Sequence, residues 1–185
     1  MLVVGFGIGF GVMYSYINPK AADIVKPIPQ FSPQRAASAS APKVDPAVVR
    51  DLENALKSDP RNFEALRNLG DIRYDERNFT EAAAFYARAL EVHPDDADIR
   101  SYRGGALLQN KQVEEAIGEL KAVLVKSPTH PQALFILGVA LLEGKGDREG
   151  ALATWKKLVE THPDLPELDL VKQQIKQVEE LSRRK

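Results

Sequence analysis

From Asp45 onward the chain alternates apolar and polar positions with helical spacing. Val48, Val49, Leu52, Ala55 and Leu56 fall on one helix face and predict a helix over Pro46 to Ser58. Asp45 is a good N-cap for it, and Pro46 suits a first helical turn. A longer pattern then repeats. Leu69-Gly70, Ala82, Tyr86, Ala89-Leu90 and Pro94 are followed 34 residues later by Gly104, Ala116, Leu120, Val123-Leu124 and Pro128. Leu137-Gly138, Ala151, Trp155, Leu158-Val159 and Pro163 form a third set. From Ala151 on, that set runs one residue late, and the turn Glu143 to Asp147, with Gly144 and Gly146, is the place expected to absorb the extra residue. Each unit predicts two helices; in the first, one ends near Arg77 and the other runs from about Thr80 to Val92. Ala55-Leu56 and Pro60 carry the same register one period earlier, as a second helix without its first. Beyond Pro166, Leu168, Val171, Ile175 and Val178 predict a closing amphipathic helix to about Ser182.

The N-terminal part follows another pattern. Met1 to Asn18 contains no charged side chain, is just long enough to cross a bilayer, and places Tyr14 and Tyr16 near one end. The spacings Gly5/Gly9 and Gly7/Gly11 suit close approach of two membrane helices, although small residues are common in such helices anyway. A cleaved signal peptide fits less well, because no basic residue precedes the apolar run and the small-residue cluster Ala36 to Ala41 lies far beyond it. Pro19 to Val44, with Pro19, Pro27, Pro29, Pro33 and Pro42, predicts a flexible tether.

The repeated residues resemble a tetratricopeptide repeat, in which small residues at fixed positions on two antiparallel helices let large ones fill the space between. The expected fold is therefore an all-α tetratricopeptide solenoid over 45–185. It comprises a half repeat (46–62), repeats at 63–96, 97–130 and 131–165, and a capping helix at 166–182. A single transmembrane helix (1–18) and a linker (19–44) precede it. No one repeat buries its apolar face alone, so the units must stack, and a terminal cap hides the last open face. A coiled-coil dimer seam is the alternative reading of the last helix.

In the tetratricopeptide family the first helices line a concave side that binds extended or helical peptides. The resemblance carries this line onto Arg67, Asp71 and Tyr74 in the first repeat, Ser101, Gly105 and Leu108 in the second, and Phe135, Val139 and Leu142 in the third. The line runs from charged to apolar, so an apolar or amphipathic segment is expected at its C-terminal end, unless the last helix folds over it. The carboxylate clamp of chaperone-binding members needs Lys, Asn and Arg where this chain has Arg67, Asp71, Tyr102, Gln132 and Ile136, and Asp71 would repel a terminal carboxylate. Arg100 and Arg103 replace large apolar residues. Either the helix turns Ile99 and Tyr102 inward, or Arg103 pairs with a carboxylate such as Asp71 or Asp75, since a buried unpaired arginine is too costly.

Composition narrows the function classes. Charged residues make up 28 % and apolar ones 44 %, ordinary for a soluble fold, with a net charge of −1. Residues 1–44 carry Lys20, Lys26, Arg35 and Lys43 against Asp23, which leaves the repeats mildly acidic and ill suited to nucleic acid. There is no cysteine. His93, His130 and His162 each precede a proline in an inter-repeat turn and read as solvated turn residues. Glu114-Glu115 and Glu179-Glu180 are adjacent on helices and diverge. No metal, phosphate-loop or nucleophile motif is present, so neither an enzyme, a cofactor nor a small-molecule substrate is expected.

The leading expectation is a membrane-tethered scaffold that binds a protein or peptide segment. A second is a chaperone presenting apocytochrome. The anchor, the Pro/Ala linker and the tryptophan in ALATWKKLVETHPD are similar to the bacterial tetratricopeptide proteins of cytochrome c maturation. A third is a structural homo-oligomer. Lys20 and Lys26 behind the anchor argue for cytoplasmic repeats. The composition of the tether argues for the extracytoplasmic side, which is the side expected here.

Overall fold

The computed structural model describes residues 44–165 and 168–183. The expected anchor at 1–18 and all but the last residue of the linker lie outside them. Among the described residues every element is helical, and no helix is long and apolar enough to cross a membrane. The elements are α1 (Pro46–Ser58), α2 (Phe63–Asp75), α3 (Phe79–Val92), α4 (Ala97–Gln109), α5 (Val113–Lys126), α6 (Pro131–Val139), a π-helical turn (Ala140–Gly144), α7 (Arg148–Thr161) and α8 (Leu168–Arg183).

Helix starts follow local chemistry. Asp45 caps α1 by accepting from the Ala47 amide at 2.8 Å. Asn62, Asn78, Asp96 and Asp147 cap α2, α3, α4 and α7 in the same way. The sixth cap is unusual: His130 Nδ1 accepts from the Ala133 amide at 3.3 Å, and its Nε2 reaches Asp98 at 3.1 Å. His130 is therefore a half-buried structural residue that joins α4 to α6, and not the solvated turn residue its sequence context predicts.

Hairpins α2/α3, α4/α5 and α6/α7 stack through α3 on α4 and α5 on α6. The small residues set the approach distance. At Gly70 a Cβ would lie 2.6 Å from Tyr86, at Gly104 3.0 Å from Leu120 and at Gly138 2.2 Å from Trp155. Leu69, Ala82, Tyr86, Ala89, Leu137, Ala151 and Trp155 are all buried, as their repeat positions require. The stack ends asymmetrically. Helix α8 buries Leu168, Val171 and Val178 in one core with Trp155 and Leu158. Helix α1 has no fully buried residue, packs Leu56 against the core only in part, and leaves Val48 47 % exposed.

The extra residue of the third repeat is taken up earlier than expected. In the first two repeats the chain leaves the first helix through Arg77 (φ 60°) and Lys111 (φ 64°), with Asn78 N–H donating to Arg73 O and Gln112 N–H to Leu107 O. In the third, the helix widens over Ala140–Gly144, Gly146 takes the left-handed conformation (φ 69°), and Asp147 N–H reaches Leu141 O across one more residue. A π-turn accommodates an insertion without breaking the helix.

Candidate functional site

The first helices α2, α4 and α6 form a row along one side of the stack. Gly105 on α4 lies between its neighbours: a Cβ there would be 3.5 Å from Ile136 Cδ1 on α6 and 3.8 Å from Tyr74 Oη on α2. Ser101 is fully buried and donates to Ala97 O at 2.7 Å, so it contributes only a small, flat floor. Leu108 is half-buried between the two core clusters.

Where the row is apolar it is closed. Phe135, Val139 and Leu142 are only 6, 9 and 8 % exposed and belong to the core that includes α8. Gln132 and Ile136 are buried as well. The expected apolar groove at the C-terminal end is therefore not open; these side chains complete the core. Trp155 fixes them from behind, donating from Nε1 to Phe135 O at 3.1 Å. Trp155 is itself fully buried, which makes it a packing residue.

Where the row is open it is acidic. Arg67 and Asp75 are exposed, and Asp71, Tyr74 and Tyr102 are half-buried. Tyr86 Oη passes under α2 and donates to Asp71 Oδ1 at 2.7 Å. Burial pushes the Asp71 carboxyl up to about 6, opposed by the Tyr86 hydrogen bond and by Arg67. Asp75 is also pushed up to about 6, by burial and then by Glu76. Burial and Asp75 raise the Tyr74 hydroxyl to about 12. Asp98 moves the other way, held below the usual carboxylate range chiefly by the hydrogen bond from His130. At the far end of α6, burial alone pushes Glu143 up to about 7.

Of the two readings of the second repeat's arginines, the inward turn holds, with Ile99 buried and Tyr102 partly so, and the pairing of Arg103 does not. Ile99 does turn inward and is 1 % exposed. Arg103, however, pairs with neither Asp71 nor Asp75. Arg100 and Arg103 both bind Glu119 of α5, Arg100 at 2.9 Å, on the side away from the row. Arg73 likewise turns back, contacting Glu53, Glu76 and Glu81 at 3.5, 2.7 and 2.8 Å. Glu119 is the residue that sequence reasoning missed. Its signal was available, because it lies on α5 where a carboxylate can meet two arginines spaced three apart on α4.

Tetratricopeptide-repeat models match residues 49–91, 73–131 and 132–165, together more than half of the chain. The chain is similar to the TPR repeat-containing thioredoxin TTL4 of Arabidopsis thaliana, with 31 % identity over 70 residues, or 38 % of this chain and 10 % of that protein. It spans only 10–12 % of the length of the curated relatives it matches. A tetratricopeptide repeat protein from Parabacteroides merdae superposes with a TM-score of 0.62 at 21 % identity, over 74 % of this chain and 54 % of that one. The first TPR of Spaghetti (RPAP3), bound to the HSP90 peptide SRMEEVD, gives 0.59 at 14 % identity, over 68 % and 96 %. At these identities the structural likenesses concern the fold.

Proposed function

This chain belongs to the tetratricopeptide-repeat family, and from that premise we propose that the open concave part of its first two repeats holds a segment of another protein, while Met1–Asn18 ties the stack to a membrane. The family's general role is that of a protein-interaction scaffold. The observation that carries the proposal is the row of first helices, which leaves Arg67, Asp71, Tyr74, Asp75 and Tyr102 accessible between α2 and α4 while the rest of the row is packed. The uncharged N-terminal run supports the anchor, and the Pro/Ala/Ser linker supports repeats held on the extracytoplasmic side. Of the features shared with cytochrome c maturation proteins, which are the anchor, the linker and Trp155, the burial of Trp155 accounts for that residue as packing.

Site-specific photo-cross-linking in native membranes tests this. A probe at Arg67 on the concave side is expected to link to a defined partner segment. One at Val125, 81 % exposed on α5, is not. Equal yields at the two positions would reject the concave face. A reporter fused after Lys185, active in one compartment only, reads the topology.

A further inference from the structure

The two ends of the stack are finished differently. At the C-terminal end α8 buries Leu168, Val171 and Val178 over the last hairpin. At the N-terminal end α1 packs chiefly on α2. Its Leu56 reaches the core, but the half-buried Val49 and Leu52 join neither core cluster of the described residues, and Val48 is 47 % exposed. Steps of three and four residues put Val48, Leu52 and Ala55 in one apolar strip along the helix. The register of the repeats explains the strip. Helices α3, α5 and α7 each pack on the first helix of their own hairpin, whereas α1 stands as a second helix, and no described residue takes the place of its first.

The chain just before α1 is ill suited to supply that helix but well suited to supply another cover. Pro27, Pro29 and Pro33 oppose a helix, and they favour the polyproline conformation in themselves and in the residues before them. That conformation repeats every three residues. Val25, Ile28 and Phe31 are spaced three apart, so they share one edge. The edge is about 19 Å long, against about 20 Å for the 13 residues of α1. Residues 32–44 join the two and span up to about 45 Å when extended, so the segment can lie along the strip in either direction. Charge agrees: the segment carries Lys26, α1 exposes Asp51 one turn from Val48, and Arg50 lies across the helix.

The size of the strip favours a tethered occupant over a second copy. One face of α1 is about 20 Å by 10 Å, a fraction of the roughly 800 Å² per partner that a stable complex buries. A segment joined by a short flexible link needs no such area, because the link holds it at about millimolar effective concentration.

We propose that residues 24–31 of the chain itself dock along α1, with Val25, Ile28 and Phe31 against Val48 and Leu52, and so complete the open end of the stack. The docking is independent of what the concave face holds. Combined with the membrane anchor proposed above, it leaves only residues 19–23 as free tether, at most about 20 Å, and sets the first repeat close to the bilayer.

The test is photo-cross-linking of the full-length chain in mild detergent, with a photoreactive residue at Val48 or, as control, at Val125, and mass spectrometry to locate the links. The Val48 probe is expected to link within one chain to residues 24–31, at least fivefold more than the Val125 probe does. Ile28→Asp/Phe31→Asp, which alters no residue of the helices, is expected to lower that yield at least fivefold and to speed amide hydrogen exchange in α1 while leaving α6 and α7 unchanged. Links from Val48 to α1 of a second copy would overturn the proposal in favour of a dimer. Links to residues 24–31 that survive the double substitution would overturn it by showing mere proximity of the tether. Yields at Val48 no higher than at Val125, or capture of residues 24–31 by a probe at Arg67 instead, would overturn it as well.

Discussion

The first and third repeats place an aromatic residue at the same position of the second helix, and its polar atom ends in opposite kinds of place. Tyr86 reaches under Gly70 to a side chain of the concave row, Asp71, at 2.7 Å. Trp155 reaches under Gly138 to a backbone oxygen, that of Phe135, at 3.1 Å. In the first repeat the core therefore supports a charged, accessible face. In the third it consumes the face, because Val139 and Phe135 stand where Asp71 and Arg67 stand in the first. One scaffold yields an open face or a packed one according to what occupies these row positions.

The sharpest way to break that comparison is at the glycines. Gly138→Ala puts a methyl 2.2 Å from Trp155 Nε1, an atom held by its own hydrogen bond, and should cost about 3 kcal/mol. Gly70→Ala meets the Tyr86 ring at 2.6 Å and should cost about 2 kcal/mol. At Gly104, where Leu120 lies at 3.0 Å, the helix propensity gained by alanine should offset most of the strain. Chemical denaturation should return that order, and equal costs would show that the aromatic clasp is not what differs.

Next come the polar ends. Trp155→Phe removes the buried hydrogen bond to the Phe135 carbonyl and opens a cavity, for about 3 kcal/mol. Tyr86→Phe removes one hydrogen bond from a carboxylate that still reaches solvent, for about 1 kcal/mol. Thermal melts of the two variants measure the gap.

The pH dependence is of similar or smaller size. Asp71 and Asp75, at about 6, and Glu143, at about 7, hold protons in the folded state more tightly than ordinary carboxyls do. The folded state thus binds more protons than the unfolded one above the ordinary carboxylate range. The stability from these groups is full below that range and is lost as pH rises through 6 to 7. Lowering the pH from 8 to 5 should stabilise the stack by on the order of 1–3 kcal/mol. Asp71→Asn should flatten the part of the profile near pH 6, and Glu143→Gln the part near pH 7. A profile that both variants leave untouched would rule out these groups.

The smallest expected effect lies at the turns. Arg77 and Lys111 hold left-handed backbone where the third repeat has Gly146. Arg77→Gly and Lys111→Gly should each stabilise by about 0.5–1 kcal/mol, and Gly146→Ala should do the reverse.

Much of this was legible in the residues. Helix α1 lies at Pro46–Ser58, where its apolar stripe and Asp45 predict it, and the small and large residues of each hairpin are buried as their period requires. The row of first helices was legible as positions but not as a surface. Arg67, Asp71 and Tyr74 remain accessible, whereas Phe135, Val139 and Leu142, at equivalent positions, are covered. Spacing states which helix face a residue shares. It does not state what packs over that face.

The sequence by itself determined the periodic part of the protein: the order of its helices, the start of α1 at Asp45, and the small residues that let the helices approach. These are local properties, fixed by neighbours within a turn or within one repeat. Tertiary structure decided which way the charged side chains turn. Glu119 takes both Arg100 and Arg103, Glu53 and Glu81 help draw Arg73 outward, and His130 joins Asp98 to α6. An ion pair forms with whichever opposite charge the stack brings within reach, and reach across helices is set only once they pack. That sorting leaves the concave face acidic.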